Sequence, residues 1–290
     1  MPQSAVMVSG KAGIQPALAT TLIRPNRGWV ALDLRELWAY RELVYFFVWR
    51  DVKVRFKQTL FGVLWAVVQP VGLMIVFSLF LGRISGIGPV DIPYPLFVFA
   101  GLVPWTLFAK GLTGASDSLV AATNLIQKVY FPRLLLPIAA LGSHLLDFAV
   151  GISVLLLLML YFSVLPSAAV VMVIPLTVLV LALALALGVW LSAANVQYRD
   201  VHHLVPFVLQ LWLFATPIAY SIEIVPTEWR GLYALNPMVG VVEGFRAVLL
   251  GRYSPEVGGA VAVSVAVTLV LLVSGLAYFR RVERTFADVI

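Results

Sequence analysis

Residues 34–82 read LRELWAYRELVYFFVWRDVKVRFKQTLFGVLWAVVQPVGLMIVFSLFLG, a basic, ring-rich segment that runs without a break into an uncharged apolar one. At helical spacing, Arg35, Glu42, Arg50, Lys53 and Lys57 fall on one side. Leu34, Leu37, Trp38, Val44, Tyr45, Val48, Trp49, Val52 and Phe56 fall roughly opposite, while Phe46 sits on the polar side and Arg41, Asp51 and Arg55 stray from it. This pattern predicts an amphipathic helix over 34–58, lying in a membrane interface with its rings and aliphatics toward the acyl chains. Residues 52–57 also alternate as a strand would, but a lone strand beside a bilayer leaves its edges unpaired, so a helix is expected. Residues 61–82 carry no charge and at ~1.5 Å per residue extend roughly 33 Å, enough to cross a hydrocarbon core.

Further apolar runs follow near 94–114, 134–162, 168–191, 204–222 and 259–279. The run over 134–162 reaches roughly 43 Å if fully helical, so it must tilt or project beyond the bilayer. Between these runs, 115–133 is polar, with a helix cap expected at Ser116 and a stop at Pro132. Residues 192–203 form a second polar loop. The long segment 223–258 contains an apolar piece, 237–250, that is too short to cross and carries Glu243 and Arg246, so it is expected to be interfacial or re-entrant. Residues 1–33 lack a continuous apolar core of signal-peptide length and are expected to be a flexible cytoplasmic tail. The predicted fold is an all-α polytopic membrane protein. It has an N-terminal amphipathic interface helix at 34–58 and a transmembrane domain over 59–290. That domain holds six transmembrane helices, with re-entrant or interfacial helices in the last external loop.

Composition agrees and narrows the partners. Of 290 residues, 61% are hydrophobic and only 12% charged, and the mean hydropathy is +0.98, which no ordinary soluble domain reaches. The net charge of +6 must then be read by position and is no sign of nucleic-acid binding. Six spans put both termini on one side of the membrane. Of the 20 lysines and arginines, only Arg83, Arg230, Arg246 and Arg252 fall on the other side, which predicts cytoplasmic termini. No cysteine is present, so disulfides and thiol chemistry are excluded.

Recognisable catalytic groupings are missing: there is no H-E-x-x-H, no G-x-S-x-G and no paired-carboxylate run facing a loop. The single Gly-Lys pair, Gly10-Lys11, lacks the spacing and hydroxyl of a nucleotide-binding loop, so uphill transport would draw on a partner or an ion gradient. His144 and Asp147, one helical turn apart in an apolar run, suit a proton relay or cargo contact, or else a structural hydrogen-bonded pair. Aromatic residues at Phe77, Phe80, Phe97, Phe99, Trp105, Phe108, Tyr161, Trp190, Phe207, Trp212, Phe214 and Tyr220 lie in or at the ends of spans. Rings stack on the C–H faces of sugars, so some of them are candidates to line a passage for a glycan. Span aromatics also face lipid or other helices as interfacial belts. Arg199-Asp200 either touches a soluble partner or forms a local ion pair of little weight. His202 and His203 point apart on a helix and do not suit a shared metal.

Several stretches taken in order resemble one family, the ABC-2-type permeases that export bacterial surface polysaccharides such as O-antigen, capsule and teichoic acid. They are RDVKVRFKQTLFGVLWAVVQP (50–70), PYPLFVFAGLVPWTLFA (93–109), NLIQKVYFPRLLLP (124–137), NVQYRDV (195–201), ATPIAYS (215–221) and LNPM (235–238). The resemblance covers residues 34 to the C-terminus. It implies a half-transporter in the bacterial inner membrane, two copies of which pair with two copies of a separate ATPase subunit that binds ATP and Mg. No cofactor is then expected in this chain. The cargo implied is a polymer on a lipid carrier, threaded through a pore between the permease copies, with the first, second and fifth spans as its walls. The implied coupling surface comprises Arg50, Lys53 and Arg55, then Ser116, Asp117, Asn124, Lys128 and Arg133 of the main docking loop, with Arg199 and Asp200 as a second contact. The candidate channel-lining rings are Phe77, Phe80, Phe97, Trp105, Phe108, Trp212, Phe214 and Tyr220. ATP-driven closure of the ATPase would then tilt the spans as rigid bodies. An ABC-2 exporter of a drug or simple lipid, and an ion-driven carrier using His144 and Asp147, are the rival readings.

Overall fold

The computed structural model describes residues 34–57, 64–84, 91–253, 255–283 and 286; the expected tail over 1–33 lies outside the described residues. Regular structure there is helical throughout. The chain begins with α1 (Leu34–Ala39) and α2 (Arg41–Lys57), followed by α3 (Leu64–Phe77), which widens into a π-helical turn at Ser78–Ile84. Next come α4 (Tyr94–Ala121), the one-turn α5 (Thr123–Ile126), α6 (Leu135–Tyr161), a 3₁₀ turn at Ala168–Met172, and α7 (Val173–Gln197). The chain closes with α8 (Val201–Phe214), α9 (Thr227–Tyr233), α10 (Pro237–Leu250) and α11 (Pro255–Val282).

Helix α4 opens on an uninterrupted apolar run, and its neighbours enclose that run. Leu96, Phe97, Val98, Phe99 and Ala100 are all within 1% of full burial. It packs chiefly against α7 and α6, then α10, while α11 backs α7 and α10. Small residues set how closely these helices approach, as expected where the surroundings supply no hydrophobic drive. A Cβ at Gly188 of α7 would stand 2.5 Å from that of Ala115, and one at Gly275 of α11 would stand 2.6 Å from the Ala186 carbonyl oxygen. Gly240 of α10 lies against the Ala260 carbonyl and Ser264 of α11 in the same way.

Among the described residues, five helical stretches are long and apolar enough to cross a membrane: Leu64–Ile84, Tyr94–Ala121, Leu135–Tyr161, Ala168–Gln197 and Glu256–Val282. The span expected over 204–222 differs. Its helix, α8, has 14 residues and is roughly 21 Å long, short of a ~30 Å hydrocarbon core. It stops because Pro217 cannot donate to a helix and disfavours helical geometry at Thr216.

The polar loop expected over 115–133 is shorter than its composition suggests. No proline or helix-ending glycine occurs between Ala115 and Phe131, and α4 continues to Ala121. Ser116 therefore caps nothing; it is buried in the helix interior. Likewise α7 runs on to Gln197, so Ser192 and Asn195, expected in a loop, are buried helical residues. The second span, expected in the wall of a passage, is the centre of the bundle instead, with most of its apolar length enclosed by neighbouring helices.

Candidate functional site

Two ends of the bundle carry its polar chemistry, and an ionic junction lies between them. At one end stand α2, α5 and the loop 198–200; at the other, α9 and the start of α4.

Helix α2 lies along α6. Phe47 is buried edge-on to Phe131, with ring centroids 5.8 Å apart, and Val48 fills the space above Gly142. Residues 44, 47, 48, 51, 52 and 55 thus face protein at helical spacing. The outward surface mixes exposed Tyr45, Phe46 and Trp49 with exposed Arg50 and Lys53, so the apolar stripe read from the wheel is divided between α6 and the outside.

Arg55, which strayed from the polar side of the wheel, turns inward to the junction. It donates to Asp147 Oδ2 at 3.1 Å and to Ser143 Oγ at 3.3 Å, and its Nη2 lies 3.2 Å from His144 Nδ1. Lys110 of α4 reaches the same Asp147 oxygen at 3.3 Å. Asp147 therefore ties α2 and α4 to α6, and its contacts are those of a structural ion pair. Beside it a cavity of about 270 Å³ opens between α2, α4 and α6, with Arg50, Asp51, Asp117 and Ser118 among its walls.

The residues expected to meet an ATPase separate into two groups. Arg50, Lys53, Asn124, Lys128, Arg199 and Asp200 are exposed at the α5 end. The rest are engaged within the chain. Ser116 is fully buried, which removes it from any docking surface. Asp117 accepts from Asn195 Nδ2 at 3.1 Å and lies 2.9 Å from His202 Nδ1. Arg133 donates to the Glu283 carbonyl at 2.8 Å, and its guanidinium stands 5.6 Å from the Phe286 ring centroid, latching the segment after α5 to the end of α11.

The aromatic candidates divide as well. Phe77, Phe97, Trp105 and Phe108 are buried among the chain's own helices and offer no surface to a cargo in this conformation. Trp212 is half-buried: its ring lies 5.2 Å from Phe108 and 6.4 Å from Trp105, fastening α8 to α4. Phe80 and Phe214 are exposed at 59% and 60%. Tyr220 donates to the Phe214 carbonyl at 2.9 Å and meets the Tyr233 hydroxyl at 2.5 Å. Burial, and next the Tyr220 hydroxyl, push the Tyr233 pKa up from its ordinary value, so Tyr233 stays neutral.

The most heavily hydrogen-bonded group was not among the expected site residues. Arg246 of α10 is 1% exposed, and it lies over the Phe97 ring at 3.5 Å from the centroid. It donates to Glu243 at 2.9 Å and to the carbonyls of Phe97 (3.2 Å), Pro217 (2.5 Å) and Ile218 (2.6 Å). Tyr94 donates to the Ala219 carbonyl at 2.6 Å. Asn236 caps α10 by accepting from Met238 N, accepts from Trp212 Nε1 at 2.9 Å, and donates to the Ala215 carbonyl at 3.1 Å. The non-helical backbone after α8 is thus satisfied by side chains, the condition under which such backbone tolerates an apolar setting. The sequence signal was Arg246 itself, a charge in an apolar stretch with Glu243 one turn before it. The quoted LNPM and ATPIAYS stretches are the two sides of this arrangement.

Comparison with known proteins matches residues 42–250 to the family model described as ABC-2 type transporter. An O-antigen export system permease protein RfbA from Myxococcus xanthus is 31% identical over 258 residues, covering 88% of this chain and 98% of that protein. One from Klebsiella pneumoniae is 25% identical, covering 83% of this chain and 92% of that protein. The polysialic acid transport protein KpsM of Escherichia coli is 25% identical, covering 81% and 91%. With the family model spanning most of the helical bundle and an end-to-end relative above 30% identity, this chain is a member of the ABC-2 type transporter membrane family.

Proposed function

We propose that this chain is the membrane-spanning permease subunit of an ATP-driven exporter that moves a lipid-linked polysaccharide, O-antigen-like, across a bacterial inner membrane. The observation that carries the reading is the end-to-end correspondence with permeases named for O-antigen and polysialic acid transport. Energy comes from a separate ATPase dimer, because the chain carries no nucleotide-binding loop of its own. Both termini and the α5 end face the cytoplasm, in line with the distribution of lysine and arginine. The exposed Arg50, Lys53, Asn124, Lys128, Arg199 and Asp200 receive the ATPase, and the cavity beside α2 offers it both signs of charge.

The passage lies between two copies of the chain, walled by α3 and α8. Val205 and Leu209 are the fully buried residues of α8, most of whose other side chains face away from the chain, and the exposed face of α3 and its π-helical extension carries Trp65, Ile75 and Phe80. Phe80 and Phe214 are the rings placed to touch cargo, and α8 completes a sixth crossing together with the unwound segment that follows it. The outward rings of α2 sit in the inner-leaflet interface among lipid headgroups, where Trp and Tyr are at home.

The test is deletion of the gene in its own organism, following surface polysaccharide and the cytoplasmic lipid-linked pool together. Loss at the surface with accumulation inside is expected. Unchanged surface polymer and unchanged internal pool would refute the reading and favour a drug or simple-lipid cargo.

A further inference from the structure

Helix α8 is held very differently at its two ends. Along its length only Val205 and Leu209 are buried, and Pro206 interrupts its hydrogen bonding one turn from the α5 end. At that end Val201 and Val205 rest against the core, and the side-chain polar link across to α4 is the contact of His202 with Asp117 at 2.9 Å, in which the His202 side chain is 57% exposed. Exposed pairs of this kind hold with about 1 kcal/mol or less.

The other end is built as an anchor. Three carbonyls in a row, those of Pro217, Ile218 and Ala219, take donors from α10 and α4, the most enclosed helices of the bundle. The guanidinium supplying two of them is fully enclosed, and Gly101 of α4 makes room for it: a Cβ there would stand 3.0 Å from Arg246 Nη2. Asn236 adds the Ala215 carbonyl. Charge-assisted hydrogen bonds in an enclosed setting are the strong kind, and breaking them would strand Arg246 beside Glu243 with unpaired carbonyls.

We propose that Arg246 is a positioning residue for export, the fixed pivot of α8, and that α8 moves by swinging its Val201 end while the 215–219 segment stays in place. The inference rests on the exporter reading for its cargo but not for its motion. It gives the exposed loop 198–200 a mechanical role, since a push on that loop acts at the more weakly held end of a lever whose other end is pinned. It also predicts that the passage opens and closes at the α5 end of α8.

The test uses the whole transporter, permease with its ATPase subunits, in liposomes. Because the chain has no cysteine, introduced pairs can be spin-labelled in the purified permease before the ATPase subunits are added. One pair, Leu204→Cys with Val120→Cys, reports the α5 end; a second, Phe214→Cys with Tyr253→Cys, reports the α9 end. Trapping the ATP-bound state should shift the first distance distribution and leave the second unchanged. An equal shift in both, a shift in the second alone, or no shift in either would overturn the proposal. In Arg246→Met, the second distribution should broaden. Polymer export per assembled complex should fall about tenfold or more, the weight of one lost charge-assisted hydrogen bond, while ATP hydrolysis per complex continues. Arg246→Lys, which keeps a cationic donor, should restore part of the export. Export, hydrolysis and assembly falling together in both variants would make Arg246 an ordinary packing residue and overturn its role. Should Arg246→Met not insert, the distances in the unsubstituted transporter and Arg246→Lys still decide. If the inner distance moves with ATP but no polysaccharide is exported, the exporter reading fails and the pivot stands.

Discussion

Replacing Asp147 by Asn should loosen α2 from the bundle, and the size of the effect follows from the geometry of the junction. The Asp147 side chain is 9% exposed, while Arg55 and Lys110 keep 32% and 26%. At these separations, each pair attracts by roughly 5 kcal/mol at an effective dielectric of about 20. Desolvation offsets much of that, and removing one member of a buried pair costs about 3–5 kcal/mol. Here the two cations retain partial access to water and can turn toward it, so the coupling between Arg55 and Asp147 should be about 2 kcal/mol. The assay is a double-mutant cycle over Arg55→Gln, Asp147→Asn and the pair, with unfolding of the purified permease in micelles followed by circular dichroism. The Arg50–Asp51 pair, 45% and 33% exposed, is the internal control and should couple by less than about 1 kcal/mol. A coupling at the junction no larger than the control would refute the reasoning, and with it the assignment of Asp147 as the tie among α2, α4 and α6.

Three further outcomes are expected. Gly240→Val should cost about 3 kcal/mol or more and lower the level of folded protein, because its side chain meets backbone of α11, while Gly259→Ala, with open space around it, should be near neutral in the same thermal melts. Lys128→Glu should uncouple ATP hydrolysis from export with no change in melting, whereas Arg133→Ala should lower stability by about 1.5–3 kcal/mol and expose the C-terminal end to limited proteolysis, since its hydrogen bond to the Glu283 carbonyl and its stacking on Phe286 are lost. Because the folded Tyr233 hydroxyl has a pKa above the ordinary 10.0, its contribution to stability is intact below pH 10 and lost as pH rises beyond it; Tyr233→Phe should flatten that alkaline fall in denaturation curves.

Much of this architecture was legible because apolar length and charge-free runs are strong signals. The helices α6 and α11 lie within a few residues of the runs that announce them, and α3 begins inside its own. Polarity misled where it was taken for exposure. Ser116, Ser192 and Asn195 read as loop residues, yet small hydroxyls and an amide fit between closely packed helices. Asn195 illustrates how: its amide donates to the Ser116 carbonyl and to Asp117. The wheel of α2 carried its own correction, since Arg55, one of the two cations that stray from the polar side, is the α2 residue bound to Asp147. The aromatic residues could not be sorted from sequence, because a ring filling space between helices and a ring facing a passage have the same composition and spacing.

Two arginines at different places in the bundle do the same kind of work at different strengths. Arg133 caps the end of α11 from a half-exposed position, and Arg246 holds three backbone carbonyls from full enclosure. In each case a segment without regular structure is fixed to a long helix by a guanidinium with donors in several directions, and at Arg246 that segment lies in an enclosed setting that would otherwise forbid it. The consequence is a bundle whose stiff parts, α4, α7, α10 and α11, are joined by close small-residue contacts, and whose movable part, α8, is attached by side-chain hydrogen bonds at one end. A transporter must move something without dissolving its core, and this chain separates the two requirements by putting its enclosed charge at the boundary between them.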